Sequence, residues 1–130
     1  MSPTSAHPVI VLAEDDAAVA DLVAETLRTD LEAEVIVVGN GALVVDAVVN
    51  SRAALLVLDI SMPGASGIDV YDVVRNNPAL DAMPILFMTA EPDRGLATLE
   101  RSGTRDVLAK PFDLDELVRR VRRLLPVAAA

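Results

Sequence analysis

The chain has 130 residues, 52% hydrophobic and 24% charged, which is the size and apolar content of one domain around one core. Cysteine is absent, which excludes disulfides, thiolate nucleophiles and cysteine zinc sites; a net charge of −9 excludes broad nucleic-acid binding, which draws on clustered Lys and Arg. Aromatic residues make up only 2%, so Val, Leu, Ile and Ala have to build the core.

Residues 1–7 carry no basic run and read as a disordered leader. The apolar stretch behind them, Val9 to Ala13, is too short for a signal sequence or a membrane span, and a cytoplasmic chain is expected. That stretch, VIVLA, is the first predicted strand, and it delivers Glu14, Asp15 and Asp16. The first helix follows, with Val19, Leu22, Val23, Thr26 and Leu27 as its apolar stripe. Asp16 stands just before it and reads as its N-cap. The second strand, Glu34 to Val38, ends in Gly39 and Asn40, to which no role is assigned. Weaker helical patterns cover Ala42 to Asn50, Ile68 to Asn76 and Arg94 to Arg101, each beside turn or cap signals. Between them lie three further strands, Ala54 to Leu58, Pro84 to Met88 and Asp106 to Ala109. The last helix is the clearest, with Leu114, Leu117, Val118, Val121, Leu124 and Leu125 on one face and Arg119, Arg120, Arg122 and Arg123 on the others. Residues 126–130 read as a tail or the start of a linker.

Strict alternation of strand and helix predicts right-handed crossovers and one parallel sheet with helices on both faces. In such sheets ligands bind beyond the carboxyl ends of the strands. Those ends carry Glu14, Asp15 and Asp16, then Asp59, Thr89 and Lys110. Asp59 alone, behind the buried run Leu55 to Leu58, is an ordinary turn or cap residue; the company it keeps changes that reading. Carboxylates gathered in one crevice repel unless a cation sits among them, and oxygen ligands without His or Cys favour magnesium. Lys110 and the Thr89 hydroxyl suit an anion on the other side. Together these groups describe a phosphoryl-transfer site with Asp59 as nucleophile.

The segments AEDD, LVLDISMPGASG, ILFMTA and AKPFDLDEL, in this order, resemble the receiver domain of two-component response regulators over residues 8–125. Their spacing is specific as a set: 44 residues separate Asp15 from Asp59, and eight separate Asp59 from Gly67. The resemblance implies a flavodoxin-like, doubly wound sheet of five strands in the order 2-1-3-4-5 with five helices. Asp59 matches the phosphoacceptor, supplied by a sensor histidine kinase or phosphotransfer protein. Asp15 matches the direct magnesium ligand, Glu14 its water-mediated companion, and the Ser61 backbone carbonyl the third protein ligand. Thr89 matches the switch hydroxyl and Lys110 the lysine that bonds the phosphoryl oxygens, with a cis peptide to Pro111. Output passes to an effector domain or separate protein through the fourth helix, fifth strand and fifth helix. Asp106, Glu116 and Arg120 match residues that pair across a homodimer on that face, although Arg105 replaces an acid of that class.

Other departures cluster nearby. Val107 stands where receivers carry Tyr or Phe, Thr104 replaces a small Ala, and the stretch from Thr89 to Lys110 is about a residue short. These changes favour, as an alternative, a receiver that binds its partner without phosphorylation. An enzyme acting on outside substrates is not expected, since aspartyl-phosphate hydrolases need an acid two residues after the nucleophile and Ser61 fills that place. Ser61 and Glu91 flank the site and are expected to set how fast water attacks the acyl phosphate. His7 receives no role, and Met62 and Met83 are expected to fill the core near loops.

Overall fold

The computed structural model describes residues 7–90 and 106–126. Runs of β-branched and aliphatic residues form five strands: β1 (Val9–Ala13), β2 (Glu34–Val38), β3 (Leu55–Asp59), β4 (Ile85–Thr89) and β5 (Val107–Ala109). All ladders are parallel and the order is 2-1-3-4-5, as expected. β3 and β4 are buried at every residue, the state of a strand covered on both faces. Both begin and end one residue later than the sequence pattern indicates, because the ladders continue through Asp59 and Thr89: Asp59 pairs with Met88, and Thr89 with Ala109. The sheet itself, and not a loop, fixes the backbone of these two polar residues.

Side chains alternate across the sheet and divide the core in two. Ile10, Leu12, Leu55, Val57, Leu86 and Met88 face helix α1 (Ala17–Leu31) and the C-terminal helix (Leu114–Leu124). Val11, Ala13, Leu56, Leu58, Ile85 and Phe87 face α2 (Val44–Ser51) and α3 (Gly67–Arg75). Met83 is buried in this second half and Met62 packs against it, as their core role requires.

Of the expected stripe of α1, Val19, Val23 and Leu27 reach the core, whereas Leu22 and Thr26 do not. Ala20, Val23, Ala24 and Leu27 are buried, whereas Leu22 is 53% exposed and the Thr26 hydroxyl donates to the Leu22 carbonyl at 2.8 Å. Ala20 and Ala24 fill the core beside Val23 and Leu27, which turns Leu22 toward solvent. Asp16 caps α1 as expected, its carboxylate accepting from the amides of Ala18 and Val19. The C-terminal helix buries Leu117, Val118 and Val121 and half-buries Leu114, Leu124 and Leu125, matching its sequence pattern. α2 starts later than expected, behind a short 3₁₀ turn at Gly41–Leu43 that Asn40 caps. The expected helix at 94–101, most of the leader, residues 127–130, Glu91, Thr104 and Arg105 lie outside the described residues. His7 is exposed, with Nδ1 2.8 Å from the Glu32 carbonyl oxygen. Among the described residues no helix is long and apolar enough to cross a membrane.

Candidate functional site

The strand order sets the carboxyl ends of β1, β3, β4 and β5 side by side, and the groups standing there are charged or hydroxylic. Glu14 follows β1, its amide held by the Val38 carbonyl at 3.0 Å. The residue is only 2% exposed. A carboxylate taken so far out of water needs partners on both oxygens. It has them: Oε1 accepts from Lys110 Nζ at 2.6 Å and Oε2 from the Asp16 amide at 3.1 Å.

Asp59 closes β3 and is 5% exposed. Its Oδ2 accepts from Lys110 Nζ at 3.0 Å and its Oδ1 from the Ser61 amide at 3.1 Å. Lys110 therefore bridges two buried acids that lie 45 residues apart in the chain. Its own position comes from β4, since the Lys110 amide donates to the Thr89 carbonyl at 2.7 Å. The Lys110–Pro111 peptide is cis, as the sequence resemblance implied. Burial on its own lowers the Lys110 pKa, but the hydrogen bonds and negative charges of Glu14 and Asp59 outweigh it and hold the pKa above the ordinary lysine value. Thr89 is buried at the end of β4. Ser61 is exposed just beyond Asp59.

Asp15 is exposed at the mouth of the crevice, and Glu14, Asp15 and Asp59 each offer a carboxylate oxygen within 4.8 Å of the other two. Three carboxylates against one ammonium leave two negative charges, which one divalent cation balances. An all-oxygen donor set with one exposed member fits magnesium, which keeps several waters and needs few protein ligands.

A second group of predicted residues also comes together, away from the crevice. Asp106, Glu116 and Arg120 line one surface depression with Arg119, Arg123 and Leu124. Arg120 is engaged within the chain, donating to the Val107 carbonyl at 3.2 Å and pairing with Glu116 at 3.4 Å. Val107 is half-buried against the α2/α3 half of the core.

The end of β2, which the sequence left without a role, proves to touch the site. Its loop meets the segment after β3 at Gly41, whose amide donates to the Pro63 carbonyl at 2.8 Å. Nothing in the sequence signalled this beyond the turn-forming GNG.

A family model described as the response regulator receiver domain matches residues 10–122. Response regulator protein PmrA of Pseudomonas aeruginosa is 43% identical over 119 residues, covering 88% of this chain and 51% of that protein. DNA-binding response regulator MtrA of Mycobacterium tuberculosis is 38% identical over 117 residues, covering 89% of this chain and 50% of that protein. The chain thus spans about half the length of these curated relatives. Among solved structures, the receiver domain of a sensor histidine kinase from Pseudomonas aeruginosa, determined with a magnesium ion coordinated in its active-site cleft, aligns with a TM-score of 0.82. The two are 28% identical, and the alignment covers 92% of this chain and 98% of that one.

Proposed function

The chain belongs to the response regulator receiver domain family, and from that premise we propose that Asp59 accepts a phosphoryl group from a histidine kinase or phosphotransfer protein. The observation that carries this reading is Lys110 Nζ lying 3.0 Å from Asp59 and 2.6 Å from Glu14, in a crevice that Asp15 opens to solvent. Members of this family are signalling modules that pair with kinases and output effectors.

In the proposed transfer, an Asp59 oxygen forms a bond to phosphorus as the N–P bond of a phosphohistidine breaks. The electron pair returns to the imidazole, which takes up a proton. Asp15, Asp59 and the Ser61 backbone carbonyl would hold magnesium directly and Glu14 through water, and the ion would supply neutralising charge to the phosphoryl oxygens. Lys110 exchanges a carboxylate oxygen for a phosphoryl oxygen, and the Thr89 hydroxyl donates to another. Water later attacks phosphorus, releasing inorganic phosphate and the free carboxylate, at a rate set by Ser61 and Glu91. We assign no turnover of outside substrates to the chain, and we place the exchange in the cytoplasm. The change at Thr89 and Lys110 passes to the face of β5 and the C-terminal helix, where Asp106, Glu116 and Arg120 contribute to a homodimer. The similarity to MtrA, named as DNA-binding, supports a DNA-binding effector as the output class.

Acetyl phosphate with magnesium tests the acceptor: the native protein gains one phosphoryl mass and Asp59→Asn gains none. Equal labelling of both, or of neither, rejects the reading. A second reading, binding without a phosphorylation switch, draws on Val107, which lacks the volume of the aromatic ring its family carries there. Beryllofluoride with magnesium separates the two readings. Amide shifts that spread over residues 89–110 support the switch, and silence there supports the constitutive module.

A further inference from the structure

The segment from Ile60 to Ser66 carries Ser61 and so, on the reading above, one of the three protein ligands of the metal. It is tied at its base, where the Gly67 amide donates to the Ile60 carbonyl at 2.8 Å. A side chain at Gly67 would put its Cβ 2.6 Å from the Asp59 carbonyl oxygen, so the base closes directly onto the acceptor's own backbone. The tip is held from another strand altogether. The Gly41 amide donates to the Pro63 carbonyl at 2.8 Å, and a Cβ on Gly41 would lie 1.9 Å from the Ala65 carbonyl oxygen and 2.7 Å from its carbon. Gly64 turns with φ of +90°, and a Cβ there would lie 1.9 Å from Asn40 Oδ1. That oxygen also accepts from the Ala42 amide at 2.8 Å, which fixes the Asn40 side chain. Two loops thus interlock through two glycines, each allowing a backbone approach that a side chain would block.

We propose that Asn40 and Gly41, at the end of β2, are positioning residues for the phosphoryl-transfer site: they latch the tip of the loop after β3 and thereby set where the Ser61 carbonyl stands. The inference rests on the assignment of that carbonyl to magnesium. A backbone carbonyl has no side-chain torsions with which to re-aim itself, so a loop shifted by its tip delivers a poorly aimed ligand even when both carboxylates remain in place. The β2 edge of the sheet adds no side chain to the crevice, and it acts there through this contact in addition to the Val38 carbonyl that holds the Glu14 amide.

Gly41→Ala is the direct test, because the atoms it meets are backbone and the loop has to move. Gly39→Ala is the control two residues away, where a Cβ comes no closer than 3.9 Å to its nearest neighbour, the Glu14 carbonyl oxygen. Magnesium is titrated into each unphosphorylated protein and followed by amide shifts at Asp59 and Ser61. Gly41→Ala should weaken binding by about tenfold, within the range for partners that orient ligands, and Gly39→Ala should leave it unchanged. Labelling by acetyl phosphate should slow in Gly41→Ala at low magnesium and recover at saturating magnesium, whereas general damage to the fold slows it at every concentration. Asn40→Ala, which removes the side chain against Gly64 together with its cap on the Ala42 amide, serves where Gly41→Ala does not fold, and it should weaken binding in the same direction. Native affinity in every folded variant overturns the latch while leaving the site intact. A native protein without magnesium-dependent shifts overturns the reading of the crevice and the latch with it.

Discussion

The crevice at the carboxyl end of the sheet and the outer face of β5 both gather acids and bases, yet they hold them differently. In the crevice, Glu14 and Asp59 are 2% and 5% exposed and each carboxylate is bonded through both oxygens. On the outer face, Glu116 and Arg120 meet at 3.4 Å with side chains 41% and 31% exposed. Charges buried together fix one another's geometry, because every alternative arrangement leaves an ion without a partner. Exposed pairs have water as an alternative and hold nothing firmly. The groups proposed to accept a phosphoryl group are therefore held by the fold, while the charges on the outer face are held loosely.

The largest effect expected from this contrast is at Lys110. Lys110→Met leaves Glu14 and Asp59 facing each other in a buried crevice without their shared cation. It should lower unfolding free energy by about 2 kcal/mol in urea titrations near neutral pH, with part of the loss recovered in millimolar magnesium by mass action. A loss as small as that of a surface pair would break the comparison.

Alkaline pH should reveal the same bridge more gently. Lys110 has a raised pKa in the folded chain, so the folded state holds its proton more tightly than the unfolded state does. Its contribution is full below the unfolded lysine value of about 10.4 and disappears as pH rises through the higher folded value. The stability gap between native protein and Lys110→Met should stay constant from about pH 8 to 10 and narrow above that. A gap that narrows on the acid side of this window contradicts the direction of the shift.

How far the residues could be read before the structure follows the same division. A parallel sheet and the convergence of Glu14, Asp15, Asp59 and Lys110 were legible because parallel strands present their ends together and the carboxylates follow aliphatic runs, whereas the strand order came only with the resemblance to receiver domains. Of the α1 face, Val19, Val23 and Leu27 were legible, but Ala20 and Ala24 were not, since alanine carries little apolar signal in the sequence. The start of α2 was misplaced because Asn40 caps a 3₁₀ turn before the α-helix begins. Contact between the loops after β2 and β3 was invisible for a further reason: a backbone approach leaves only glycines in the sequence, and glycines also mark simple turns.

Val107→Tyr sharpens the contrast from the other side. The native side chain is half-buried and packs on the α2/α3 half of the core, so a ring introduced there gains a surface to lie against. Stability should change by less than about 1 kcal/mol, as for a substitution at a partly exposed strand position. Beryllofluoride should then move the amides of residues 106–110 further than in the native protein. An unchanged response would locate the reporting step somewhere other than position 107.

Glu116→Gln should have the smallest effect, and its size carries the comparison. The pair has the favourable order, with the acid four residues before the base, and Glu116 also lies in the first turn of the C-terminal helix, where negative charge is stabilising. Both contributions are screened by water. Removing the charge should cost about 0.3–0.5 kcal/mol, and that cost should shrink in molar salt. Arg120 keeps its bond to the Val107 carbonyl at 3.2 Å, so the guanidinium is not set loose by the change. A cost near that of Lys110→Met, insensitive to salt, would mean the outer face is held as firmly as the crevice, and the contrast between buried and exposed charge would fail at this helix.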